Sequence, residues 1–229
     1  MKPAGDKSRT LILWIAVQAF ITLLAGINLI SPWTRTALPF GEFVRWREMF
    51  SMLLITPGSV AVVSLVMWTL ERGRKDAGGP LALLVMGGCL LGVSMGCHEP
   101  MNVLNGAGGP RLAPSLHFWD EIFSHAVFFA AYAAISVALL WSQVRNPLPL
   151  PMSKGVALAF ILCGIIGGVG IYCTELPAGD ITVDLAVIAA VIAVAECLRK
   201  GRSFSLLPVN VSMEGAYVLA LVALILKRI

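Results

Sequence analysis

Residues 10–30, "TLILWIAVQAFITLLAGINLI", run for twenty-one positions without one charged side chain. As a helix at 1.5 Å per residue they would reach about 30 Å, the thickness of the hydrocarbon core of a bilayer. Lys2, Lys7 and Arg9 precede the run. It is too long for the apolar region of a secretory signal and carries no small-x-small cleavage site. It reads as the first of a set of membrane-spanning helices.

Six further apolar segments of similar length follow, near 49–70, 81–99, 117–141, 155–173, 181–198 and 207–226. The stretches between them, such as "ERGRKDAGGP" and "RNPLPLPMSK", are turn-rich, charged or both. Composition agrees: 58% of residues are hydrophobic, 13% are charged and the mean hydropathy is +0.84. A soluble domain averages about 25% charged residues. The fold class expected is therefore all-α, a polytopic transmembrane bundle of about seven spans forming one domain over residues 1–229, with the lipid bilayer as its surroundings. The last span carries Asn210 and Glu214, so a six-helix bundle with an interfacial C-terminus is the alternative. Nothing in the chain suits nucleic acid.

Basic residues orient membrane helices toward the cytoplasm. With seven spans, eleven Lys and Arg fall on the side of the N-terminus and six on the other. The N-terminus is accordingly expected in the cytoplasm, and a bacterial inner membrane is the expected setting. The opposite side then collects all three histidines, His98, His117 and His125, together with Glu99, Asp120, Glu121, Glu175, Asp180 and Asp184.

Within "LHFWDEIFSHAVFFAAY" (116–132), His117, Asp120, Glu121, Ser124 and His125 fall within an arc of about 140° at 100° per residue. Polar side chains in a membrane helix usually face the bundle interior or a wet cavity. The third span approaches with Ser94 and His98 four residues apart, and Pro100 is expected to end that helix. Gly88, Gly92 and Gly96 form a small-xxx-small ridge suited to close helix contact, and Gly164, Gly167 and Gly168 suggest a second one. Pro57 is expected to kink the second span.

The chemistry open to these residues falls into three classes. His98, His117, Asp120, Glu121 and His125 are ligand types for a divalent metal, Zn, Fe or Mn. The same residues with Glu99 would serve as a metal-free acid/base set, with Asn102, Asn105, Ser124, Glu175 and Asp184 binding substrate. They would equally serve as solvated helix ends, with Asp120 and Glu121 favoured by the helix dipole. Met95, Cys97, His98 and Met101 add soft donors suited to Cu(I). Cys97 and Cys173 fall at helix ends on the same side, where an oxidising compartment would allow a disulfide. Glu214, in the inner half of the last span, is read as reaching the interface or pairing with a basic loop residue.

Ser94-x-x-x-His98 resembles part of the membrane metal hydrolases that include the alkaline ceramidases and the progestin/adiponectin-type receptors. Those proteins carry two further histidines in their last span, where this chain has none, and the assignment is not adopted. "GVSMGCHEPMNVLN" (92–105), after an apolar span and a basic loop, resembles the AveC-like spirocyclase family of integral membrane proteins. There an acidic residue, Pro, Met and a following Asn stand at a helix end, matched here by Glu99, Pro100, Met101, Asn102 and Asn105. The resemblance implies acid/base-assisted cyclisation of a lipophilic, oxygenated substrate such as a polyketide spiroketal. The expectation carried forward is a membrane enzyme for a lipophilic small molecule. The competing one is a non-catalytic subunit, metal handler or transport component with a membrane-protein partner.

Overall fold

A computed structural model describes residues 4–39, 41–74, 76, 78–107, 112–175 and 182–228, without the side chains of 4–6, 41–43, 105–107 and 228. It is an all-α bundle of seven long helices: α1 (Ala4–Ile30), α2 (Trp46–Glu71), α3 (Gly78–Ala107), α4 (Ala113–Arg145), α5 (Lys154–Glu175), α6 (Thr182–Arg199) and α7 (Pro208–Arg228). A two-stranded antiparallel hairpin, β1 (Ala37–Leu38) and β2 (Gly41–Arg45), joins α1 to α2. Trp33, Trp46 and Phe50 stack beside it, an aromatic group of the kind that settles at a membrane interface.

Six helices are long and apolar enough to cross a bilayer, and α6 is the one outside that set. The sequence points to the last span as the weakest, yet α7 qualifies. Asn210 and Glu214 are buried in α7, with Asn210 Nδ2 donating to Glu214 Oε1 at 3.0 Å. Glu214 is thus buried with a partner one turn away on its own helix, and Glu196 and Arg199 of α6 lie within electrostatic range of it. α6 carries Asp184, Glu196 and Arg199, which lowers its hydropathy. Its place follows from its neighbours. α5 and α7 run parallel, since a Cβ on Gly164 would meet Ser212 O at 2.7 Å and one on Gly168 would meet Ala216 O at 2.8 Å. The chain must therefore return across the bundle between them, and eighteen residues of α6 cover about 27 Å.

α1 also runs parallel to α5, with Gly26 against Cys173 and Gly170 against Thr22. α3 and α4 form an antiparallel pair closed by Gly79 against Trp141 and Gly87 against Ala131 and Ile135. The Gly88–Gly92–Gly96 ridge is not that contact: Gly92 and Gly96 face open space, and Gly88 only touches Val60. Ridge spacing says that a helix can approach, and the neighbouring row of small residues won. Among the described residues, the glycine pattern in α5 does mark a tight interface and the one in α3 does not.

Two helices contain a π-turn. In α2 it spans Ser51–Ile55, directly before Pro57 at the head of the α-helical part. The wider turn accommodates a residue without an N–H. In α4 it spans Phe118–Phe123. Pro100 does not end α3, which continues through it to Ala107; in apolar surroundings, losing one N–H costs less than leaving a whole turn unbonded. At the far end of the bundle, Gln143 is fully buried, and its Oε1 accepts from Val209 N at 3.2 Å at the head of α7. Leu148 N and Met152 N donate to Leu206 O and Ser205 O, each at 2.8 Å, tying the α4–α5 and α6–α7 connections together.

Candidate functional site

α3 and α4 meet at the histidine-bearing end of the bundle through a line of polar contacts. Ser94 Oγ donates to Ser124 O at 2.8 Å, and Ser124 Oγ donates back to Asp120 O, both inside the protein. One turn along α3, His98 Nδ1 stands 2.9 Å from Asp120 Oδ1 and 3.2 Å from Asp120 O. With two acceptors at Nδ1, that nitrogen carries the proton of the neutral ring, an assignment made from its partners. Nε2 is then the free, basic nitrogen. Asp120 is 1% exposed, while the His98 side chain is 22% exposed, so the imidazole bridges the interior and the surface.

His125 lies beside it, the two rings 5.1 Å apart and tilted by 42°. His125 Nδ1 is 3.9 Å from Glu121 Oε2, and both side chains are nearly half exposed. Each imidazole therefore has its own carboxylate, one buried and one wet. Glu175 at the end of α5 and Asp184 in the first turn of α6 face each other within hydrogen-bonding reach, and Asp184 lies within electrostatic range of His125.

The π-turn decides which residues of α4 take part. At a uniform 100° per residue, His117, Asp120, Glu121, Ser124 and His125 would share one stripe. With the helix widened over 118–123, Asp120 and Ser124 turn inward while His117 and Glu121 are exposed. His117 thus stands apart from the His98–Asp120 pair. Glu99 is buried on another side of α3, facing Ser51, Glu48 and Arg47 of α2. Asn28 Nδ2 donates to Arg47 O at 3.0 Å and to Ser51 Oγ at 3.2 Å, and Glu48 is held by Arg45 N at 2.9 Å. Asn28, Glu48 and Ser51 were not singled out from the sequence. Glu48, accepting from the backbone N–H of Arg45 that opens the helix, has the spacing of a capping box, but with Arg at the cap position the sequence carries no Ser, Thr, Asp or Asn to announce it.

Asn102 is half-buried on the extension of α3 past Pro100. Asn105 belongs to the same helix, with its side chain outside the described residues, as Asp180 also is. All five cysteines are free thiols, Cys173 lying against Gly26 and Cys97 on α3; the disulfide between them is not formed. Among the described residues, no three His, Cys, Asp or Glu side chains converge closely enough to hold a metal ion. The two imidazole–carboxylate pairs stand side by side and do not close into one coordination shell.

No protein-family model, curated protein or solved structure matches this chain. Its six apolar helices define it as compatible with an integral membrane protein; what it does has to be argued from the site.

Proposed function

We propose that the protein is a membrane-embedded acid/base enzyme for a lipophilic, oxygenated small molecule, with His98 and His125 as its proton-transfer pair. The observation that carries this reading is the spacing of the two rings, 5.1 Å, with Asp120 fixing one of them at 2.9 Å. An imidazole whose Nδ1–H meets the Asp120 carbonyl oxygen, with the buried carboxylate 2.9 Å away, presents Nε2 as a base, as in other His–Asp arrangements. A second imidazole whose side chain is nearly half exposed can exchange protons with its surroundings.

The resemblance of residues 92–105 to the AveC-like spirocyclases supplies the reaction class. In the closure of a hydroxy-hemiketal, His98 Nε2 takes the proton of the attacking hydroxyl. Protonated His125 gives a proton to the departing hydroxyl, which leaves as water, and the new C–O bond completes the ring. Asp120 is then a positioning residue, and Glu175 and Asp184 border the mouth. In this reading the N-terminus lies in the cytoplasm of a bacterium and the histidine end outside its inner membrane, supported by the eleven basic residues on one side against six on the other. The test is turnover of a lipophilic dihydroxyketone by the detergent-purified protein. The parent should enrich one spiroketal diastereomer and His98→Gln should not; a parent that leaves the ratio found in empty micelles would defeat the reading.

A second reading, a non-catalytic subunit of a membrane complex, is favoured by the uncovered face of α3. Gly92 and Gly96 meet nothing, and Val85 and Val93 beside them are about half exposed. It requires a partner whose co-purification is lost in Gly92→Leu.

A further inference from the structure

A second polar feature lies at the opposite end of the molecule from His98, in a cavity of about 630 Å³ between α2 and α3. Val60, Met67, Leu81, Val85 and Gly88 give it apolar walls, and Glu71 and Arg72 close its end toward the connection between the two helices. The volume is that of a pocket for an organic ligand. Trp68, Leu81 and Val85 are about half exposed along it, so it opens sideways, where a bilayer would be.

Glu71 is buried at 7% exposure. Its Oε1 accepts from Ser142 Oγ at 2.6 Å, while Oε2, on the same carboxylate, receives no hydrogen bond. Arg74 Nε stands 3.7 Å from Oε2, and Lys7 is within electrostatic range. The charge of Glu71 thus has neighbours, and what Oε2 lacks is a donor hydrogen. Arg72 is the complement. Its guanidinium lies over the Trp68 ring at 4.9 Å and has no carboxylate partner among the described residues. One apolar slot therefore ends in an acceptor short of a donor and a cation short of an anion.

We infer that this groove binds an anionic phospholipid of the phosphatidylglycerol type, its phosphate on Arg72, a glycerol hydroxyl donating to Glu71 Oε2 and one acyl chain along Val60, Leu81, Val85 and Gly88. A hydroxyl suits Glu71 better than an ammonium group, because Arg74 and Lys7 already supply positive charge there. The surplus of cations around the groove favours a head with net negative charge over a zwitterionic one. The site is separate from the His98 pair and stands whether or not that pair is catalytic.

The full chain would be reconstituted in nanodiscs of equal phosphatidylglycerol and phosphatidylethanolamine, re-extracted in mild detergent, and the retained lipid identified by mass spectrometry. Phosphatidylglycerol should be retained about fivefold over its partner, the discrimination one basic side chain provides. Arg72→Ala should bring retention to the bulk ratio. Gly88→Leu should do the same by placing its side chain in the slot, where even a Cβ meets only Val60 at 3.6 Å. Glu71→Gln should weaken retention while keeping an acceptor for Ser142. Bulk-ratio retention by the parent, preference for phosphatidylethanolamine, or unchanged preference in both Arg72→Ala and Gly88→Leu would each overturn the inference.

Discussion

Gly170 on α5 lies so close to Thr22 on α1 that a Cβ there would stand 2.6 Å from the Thr22 carbonyl carbon. The obstacle is backbone, which cannot rotate away. Gly170→Ala must separate α1 from α5 and is expected to lose about 1–3 kcal/mol, the range for overpacking a tight contact. Gly92→Ala, where nothing lies within 4 Å, should be neutral or gain up to about 1 kcal/mol from helix propensity. Denaturant unfolding in micelles compares the two, and equal effects would mean that α1 and α5 do not pack at Gly170.

Gln143 holds the head of α7 from within α4. Its replacement by Leu keeps the volume but leaves Val209 N without its acceptor. An unsatisfied buried donor costs about 1–3 kcal/mol, so the melting temperature should fall by several degrees. Gln143→Glu keeps an oxygen for Val209 N but loses the Nε2 donor to Asn146 O and buries a carboxyl, so it should destabilise as well.

Asp76 locks the α2–α3 connection to the end of α4, with Arg74 Nη2 at 3.1 Å and Arg145 Nη2 at 2.9 Å. The hydrogen bond from Arg74, helped by the charges of Arg74 and Arg145, holds its carboxyl below the usual 3.8. A lowered folded-state value stabilises above the ordinary value and is lost as pH falls through the lowered one. Asp76→Asn should therefore melt below the parent at pH 7, and the gap should close as pH drops below about 4. A gap that persisted in acid would show that the carboxylate charge is not what holds the connection.

Asp120→Asn preserves the shape beside His98 and removes the charge. If the cyclisation reading holds, turnover of the dihydroxyketone should drop on the order of 10²–10⁴-fold, with thermal stability little changed. His117→Ala, at an exposed position apart from the pair, should leave turnover near the parental rate. Loss of activity in His117→Ala with Asp120→Asn unaffected would reverse the assignment of roles.

The sequence and the fold agree most closely where one physical requirement dominates. Long apolar runs mark the seven helices, because in hydrocarbon a helix satisfies its own backbone groups, although α1 begins six residues before its run and α3 ends eight residues after its own. The α5 glycines likewise announced their contact. The failures share a cause. Pro100 reads as a stop signal, and the α3 glycine ridge and the polar stripe of α4 read at one uniform helical period, each from one helix at a time. A π-turn between Phe118 and Phe123 changes which residues face inward, and no local composition rule marks it.

What the sequence alone determined is the class of molecule and the end of it that carries histidines and carboxylates, since hydropathy and charge order are properties of the chain itself. What only the tertiary structure decided is pairing. Asp120 goes to His98, Glu99 goes to the α2 side, Glu214 goes to Asn210, and His117 stays outside. Those choices depend on the rotation of each helix about its axis, which is set by close contacts such as Gly87 against Ala131 and Ile135, between residues far apart in the chain.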